Sequence, residues 1–78
     1  MKIKRSDNRL FIENDGTIDC IKTDDILSFG KSFMISQGAN TTYTVYIETL
    51  YGQRQLFFNN EKDRDVVYDY IYREVVGY

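Results

Sequence analysis

The residues of this sequence that could do chemistry are few. The stretch "TVYIETLYGQRQLFF", residues 44–58, sets Tyr46, Tyr51, Phe57 and Phe58 close to a single arginine, Arg54. Aromatic rings on a sheet face stack nucleobases, and nearby cations hold the phosphate backbone. The same rings also make the ordinary inside of a small sheet. Outside that stretch stand one thiol, Cys20, and one adjacent carboxylate pair, Asp24 and Asp25. There is no histidine, so the commonest general base is missing and Cys20 has no imidazole partner. Cys20 is therefore expected as a small buried apolar side chain. Asp24 and Asp25 are expected in a solvated bend or cap, because adjacent side chains in a strand point to opposite faces and would not converge. Asp7, Asp15 and Asp19 lack calcium-loop spacing. Gly30, Gly38 and Gly52 are isolated and build no phosphate loop. One thiol without histidine cannot supply a tetrahedral zinc set. The expectation is a non-enzyme that holds no metal and no cofactor.

The chain that must position these groups has 78 residues, read as a single domain over 1–78. Hydrophobic residues make up 42% of it, enough for a folded core rather than a disordered tail. A core of this size leaves only a few kcal/mol of net stability. A single cysteine excludes an intrachain disulfide, so association, including a homodimer, is the device left open. Apolar runs reach two or three residues, which predicts no membrane span. The start "MKIKRSDNRL" has basic residues with no apolar stretch behind them, so no signal peptide is expected. With a lone thiol, this predicts a reducing, cytoplasmic setting.

Charge and periodicity place the elements. Lys2, Lys4, Arg5 and Arg9 make the first nine residues basic, against Asp7 alone. This segment is a possible phosphate-contacting arm. Residues 1–8 read either as a frayed end or as an edge strand whose charges discourage pairing with other chains. "RLFIENDGTIDCIK" reads as a hairpin around Asp15-Gly16, with Leu10 and Ile12 alternating on one side and Ile18 and Cys20 resuming the alternation. "ILSFGKSFMIS" is a third strand with Leu27, Phe29, Phe33 and Ile35 on one face and a bulge or bend expected at Gly30. "QGANT" is a loop, and "TYTVYIETL" is the clearest strand. Pairing it with "QRQLFF" through a four-residue loop, Leu50 to Gln53, sets Val45 opposite Phe58, Ile47 opposite Leu56 and Thr49 opposite Arg54. Tyr46 then lies beside Phe57, and Glu48 beside Gln55, on the other face.

The last segment has strand-favouring composition in its valines, tyrosines and isoleucine. Its pattern also fits a helix over 61–76. Asn60 can cap it, Glu61 and Asp63 suit its first turn, and Gly77 is a natural stop. Val67, Tyr70, Ile71 and Glu74 fall on one side at helical spacing, so a helix is expected, lying across Val45, Ile47, Leu56 and Phe58. The expected fold is α+β: an antiparallel sheet of four to five strands with one C-terminal α-helix on one face.

A short strand, a "TDDI"-type bend, a three-stranded meander and a closing amphipathic helix, over roughly residues 17 to 76, resemble many small uncharacterised proteins of Gram-positive bacteria and their phages. Some of these look like part of a pleckstrin-homology-like domain. The N-terminal hairpin departs from that pattern. The resemblance implies a fold and carries over no binding or catalytic residue. It also implies a phage or mobile-element accessory protein, one that inhibits a host protein.

The expected binding surface is Tyr46 and Phe57 on the sheet face away from the helix, with Tyr68 and Tyr72 on the helix flank. Tyrosines at such a flank also serve simply to cover the core margin. The leading expectation is a protein-interaction module, with self-association as one form. The first alternative is a single-stranded nucleic-acid binder using the sheet aromatics. Against it, Lys31 and Arg54 are the only cations between residues 26 and 60, and Glu48 sits beside the rings. The second alternative is a small-ligand or nucleotide pocket at a dimer seam.

Overall fold

The computed structural model describes residues 1–35, 38 and 40–77. Three strands, β1 (Lys2–Ser6), β2 (Arg9–Asn14) and β3 (Thr17–Lys22), form one antiparallel sheet in that order. A 3-10 turn over Thr23–Asp25 then leads into β4 (Ile26–Ile35), β5 (Thr41–Thr49) and β6 (Gly52–Phe58), which form a second antiparallel sheet. One helix, α1 (Glu61–Val75), closes the chain. The class is α+β, as expected, with the single C-terminal helix. Six strands in two sheets replace the expected single sheet of four to five. The "KTDD" bend is the cause. It ends β3 and starts β4 in a different sheet, and Thr23 ties the turn back to the Asn8 carbonyl through its N–H at 2.8 Å and its hydroxyl at 3.1 Å. The basic N-terminus is an ordered edge strand, paired from Lys2 with Glu13 to Ser6 with Arg9.

The first hairpin turns on Asp15 (φ 49°) and Gly16 (φ 80°), the left-handed pair that matches strand twist. A two-residue turn pairs each even-numbered residue with an odd one. Leu10 therefore faces Ile21, while Phe11 faces Cys20 and Glu13 faces Ile18. Leu10, Ile12 and Ile21 are buried. Ile18 and Cys20 lie on the outer face, and Cys20 is exposed. The buried Cys20 expected from the sequence is thus corrected. Alternation was recognised in each strand, but the parity carried through the turn hands the inner position to Ile21.

The second sheet differs in two registers. The β4 bulge falls at Leu27, between Ile26 and Ser28, rather than at Gly30. The extra residue lets Ile26 and Phe29 both face inward. Gly30 has another purpose: its cross-strand partner Tyr46 lays its ring over it, and a Cβ there would overlap the Tyr46 ring and hydroxyl. Gly30→Ala should therefore cost roughly 1 kcal/mol of stability, and less when Tyr46 is also alanine. Urea unfolding of the double-mutant cycle measures this, and strict additivity would refute the contact.

The β5–β6 turn is two residues, Leu50-Tyr51, rather than four. Thr49 pairs with Gly52, Val45 with Leu56 and Tyr43 with Phe58. Gly52 takes the positive φ (137°), so neither turn residue has to. The Thr49 hydroxyl accepts from the Tyr51 N–H at 3.2 Å and donates to the Gly52 carbonyl at 2.9 Å. The register is two residues away from expectation. A slip of two preserves faces, so Val45, Ile47, Leu56 and Phe58 are still the buried set. Of the loop expected at 37–41, residues 37 and 39 lie outside the described residues, Gly38 is a turn residue, and Thr41 already begins β5.

Helix α1 begins as read. The Asn60 side chain accepts from the Asp63 N–H at 2.8 Å, and Glu61 and Asp63 occupy the first turn. Val67 and Ile71 are fully buried. They join Leu10, Ile12 and Ile21 from the first sheet and Ile26, Val45, Ile47, Leu56 and Phe58 from the second in one core. The seam between β6 and the first sheet is held by side chains. Arg54 donates to the Cys20 carbonyl (2.9 Å) and pairs with Asp19 (3.0 Å), while Asn14 donates to the Phe57 carbonyl (2.9 Å).

Candidate functional site

Tyr46 and Phe57 lie on the face of the second sheet that the helix leaves uncovered, as the strand parity requires. They are not cross-strand partners: Tyr46 opposes Gln55, and Phe57 opposes Thr44. The two-residue change in register makes them diagonal neighbours, and the ring of Tyr46 is turned toward Gly30. Phe57 remains half exposed. No cation shares this face. Lys31 and Arg54 belong to the opposite parity, where Lys31 opposes Val45 and Arg54 opposes Ile47.

Tyr68 and Tyr72 sit apart from that pair, on the helix side of the sheet. Both rings meet Phe29, with centroids 5.5 Å and 6.2 Å away, and they meet each other at 6.4 Å. The Lys31 ammonium lies 4.8 Å from the Tyr68 centroid. These tyrosines close the margin between α1 and β4. The four expected residues therefore form two groups on opposite sides of one sheet.

A third surface was missed. The outer face of the first sheet is a three-by-three array of side chains. Lys4, Phe11 and Cys20 make its middle row, flanked by Lys2, Glu13 and Ile18 on one side and Ser6, Arg9 and Lys22 on the other. An open depression of about 440 Å³ lies over part of it, lined by Lys2, Lys4, Ser6, Glu13, Ile18 and the half-buried Phe11. The signal was present in the sequence. Asp15-Gly16 fixes the β2–β3 register, and parity then collects Lys2, Lys4, Arg9 and Lys22 on the face of Phe11. Reading the basic N-terminus as a phosphate-contacting arm, apart from the hairpin, concealed it.

No known family model, curated protein or solved structure matches this chain.

The sheet edges differ in how they are protected. The β3 and β6 edges face each other across the Arg54 and Asn14 bonds. The β1 edge carries Lys2, Lys4 and Arg5, and Arg5 pairs with Glu74 of α1 at 2.8 Å. Among the described residues, the β4 edge is guarded in its first part. There Arg64 donates to the Ser32 carbonyl at 3.0 Å, and Lys31 pairs with Asp65 at 3.2 Å. Beyond Ser32 come Phe33, Met34 and Ile35, three consecutive apolar residues exposed at 58%, 54% and 69%.

Two of the carboxylates near the first turn are engaged in structure: Asp24 accepts from the Asn8 amide at 3.1 Å, and Asp19 holds Arg54. Asp25 contributes its backbone carbonyl, which accepts the Leu50 N–H at 3.3 Å. Among the described residues no group of three or more His, Cys, Asp or Glu could hold a metal ion. No helix among them is long and apolar enough to cross a membrane.

Proposed function

We propose that this chain is a non-enzymatic binding module that takes an extended protein segment along β4, the simplest such segment being β4 of a second copy. The observation that carries the reading is the run Phe33-Met34-Ile35, exposed and uncharged on an outer strand. Natural sheets blunt their edges with charge, proline or cover; β1 does so, while among the described residues this part of β4 has no such protection. The Ser32 carbonyl points away from β5 to meet Arg64. Backbone alternation gives Met34 the same outward direction, so its N–H and C=O are available to an added strand. Phe33 and Ile35 then flank the new ladder on one face and Met34 on the other. Two copies pairing antiparallel would make a symmetric contact, in which each β4 meets the other by the same residues. A host protein as the eventual partner is the reading that the resemblance to phage accessory proteins favours.

Met34→Pro tests this. It removes the outward N–H and leaves the β5 ladder intact, because proline is accepted on edge strands at such positions. The wild-type chain should sediment as a dimer at micromolar concentration. Met34→Pro should be monomeric with an unchanged circular dichroism spectrum. A strictly monomeric wild type that captures no protein partner, or a dimer indifferent to both Met34→Pro and Ile35→Lys, would sink the proposal.

A further inference from the structure

The outer face of the first sheet has a chemistry that β4 does not share. It presents Lys2, Lys4, Arg9 and Lys22 against one carboxylate, Glu13, on a chain whose net charge is −2. None of these four cations makes an ion pair among the described residues, whereas Arg5, Lys31, Arg54 and Arg64 all do. Among the described residues six cations make no ion pair, and four of them share this face, the other two being Lys62 and Arg73 on α1. Such segregation concentrates and orients an anionic ligand.

We propose that this face binds single-stranded nucleic acid, with Phe11 stacking a base and Lys4, Arg9 and Lys22 holding the phosphates. Sheet geometry puts Lys4 about 5 Å across from Phe11, and Arg9 about 7 Å along the strand from it. Phe11 is half buried and lines the depression together with Lys4, while Arg9 and Lys22 lie beside it on the same face. A flat base entering the recess reaches the ring while its phosphates meet long, mobile cations. A lipid surface would need a cluster of protruding apolar groups, and here Ile18 is the one strongly exposed apolar side chain, at the margin of the face. An acidic peptide would use the charges and leave the ring unoccupied. Glu13 stands beside Lys2, so the phosphates run past the Lys4, Arg9 and Lys22 side of the ring. This site is separate from the β4 edge, and each can fail without the other.

The test is fluorescence polarisation of a labelled single-stranded oligothymidylate at low and moderate salt. Binding should weaken with salt, and Lys4→Gln or Arg9→Gln should each lower the log–log slope by about 0.7. Phe11→Leu, which keeps an apolar side chain and loses the aromatic face, should weaken binding roughly 5- to 100-fold. Glu13→Gln should strengthen binding, the opposite sign. Tyr46→Ala should leave it unchanged, and so should Met34→Pro, which separates this site from β4. The proposal is overturned by no polarisation change at low salt, by Phe11→Leu binding as wild type, or by polyglutamate competing as well as unlabelled oligonucleotide.

Discussion

Phe58→Ala should leave the chain largely unfolded at room temperature. Phe58 is the largest of the fully buried side chains, opposite Tyr43 in β5 and in the same core as Val67 and Ile71 of the helix. Truncating a buried phenylalanine costs about 3–5 kcal/mol, part from lost transfer energy and part from the cavity left behind. A single core in a chain this short supplies rarely more than about 3–5 kcal/mol in total. The two figures are equal in size, so the expected outcome is loss of the cooperative transition rather than a shifted one. Phe57→Ala is the control. The same residue type one position earlier faces outward, half exposed, and its removal should change stability by less than about 1 kcal/mol. Urea titrations followed by circular dichroism separate the two variants. Equal midpoints would mean that the faces of β6 are assigned wrongly.

Arg64→Leu carries the second large effect. Arg64 is a buried cation that no apolar pattern predicts. Its guanidinium donates to the Ser32 carbonyl at 3.0 Å and to Asp65 at 3.0 Å, reaches Glu61 at 3.6 Å, and lies 5.2 Å from the Tyr43 centroid. Leucine fills similar volume but removes every donor, and the loss should be about 1–3 kcal/mol. Arg64→Lys should recover only part of it, because an ammonium has no planar fork to serve the carbonyl and the carboxylate together.

The same cluster gives a pH signature. Partial burial pushes the Asp65 carboxyl upward, but the hydrogen bonds and charges of Arg64 and Lys31 outweigh it and hold the group below its ordinary value of 3.8. A carboxyl lowered on folding adds stability above its unfolded pKa and loses it as pH falls through the folded one. Asp65→Asn should therefore be less stable than wild type at neutral pH and should lose less stability on acidification below about pH 4. Arg64→Leu should flatten the same acid limb. Melting temperatures recorded across pH test both, and parallel curves for wild type and Asp65→Asn would remove Asp65 from the account.

Much of this structure is legible in the residues, and the failures share a cause. Asp15-Gly16 marks its hairpin because only a left-handed pair fits that turn. Asn60, with Glu61 and Asp63, marks the helix start despite strand-favouring valines and tyrosines, since capping is chemistry local to one turn. The buried set Val45, Ile47, Leu56 and Phe58 survived a wrong loop length because strand faces repeat every two residues. The Tyr46–Phe57 pairing did not survive it, because a direct neighbour depends on register and not only on parity. Gly30 was seen as special for the wrong reason: its missing Cβ serves a ring on the adjacent strand, which no local reading contains.

By itself the sequence determined the later strands, the Asp15-Gly16 turn, the helix with its cap, and the apolar faces of β5 and β6, all of which follow from short-range sterics and periodicity. Only the tertiary structure decided that the Thr23–Asp25 turn divides the strands into two sheets, and that Arg64 is buried against Ser32. It likewise decided that Lys2, Lys4, Arg9 and Lys22 share a face with Phe11, and that among the described residues the end of β4 is the edge left unguarded. Those outcomes depend on contacts between residues distant in the chain, whose pairing is set by the lowest free energy of the whole core rather than by any segment alone.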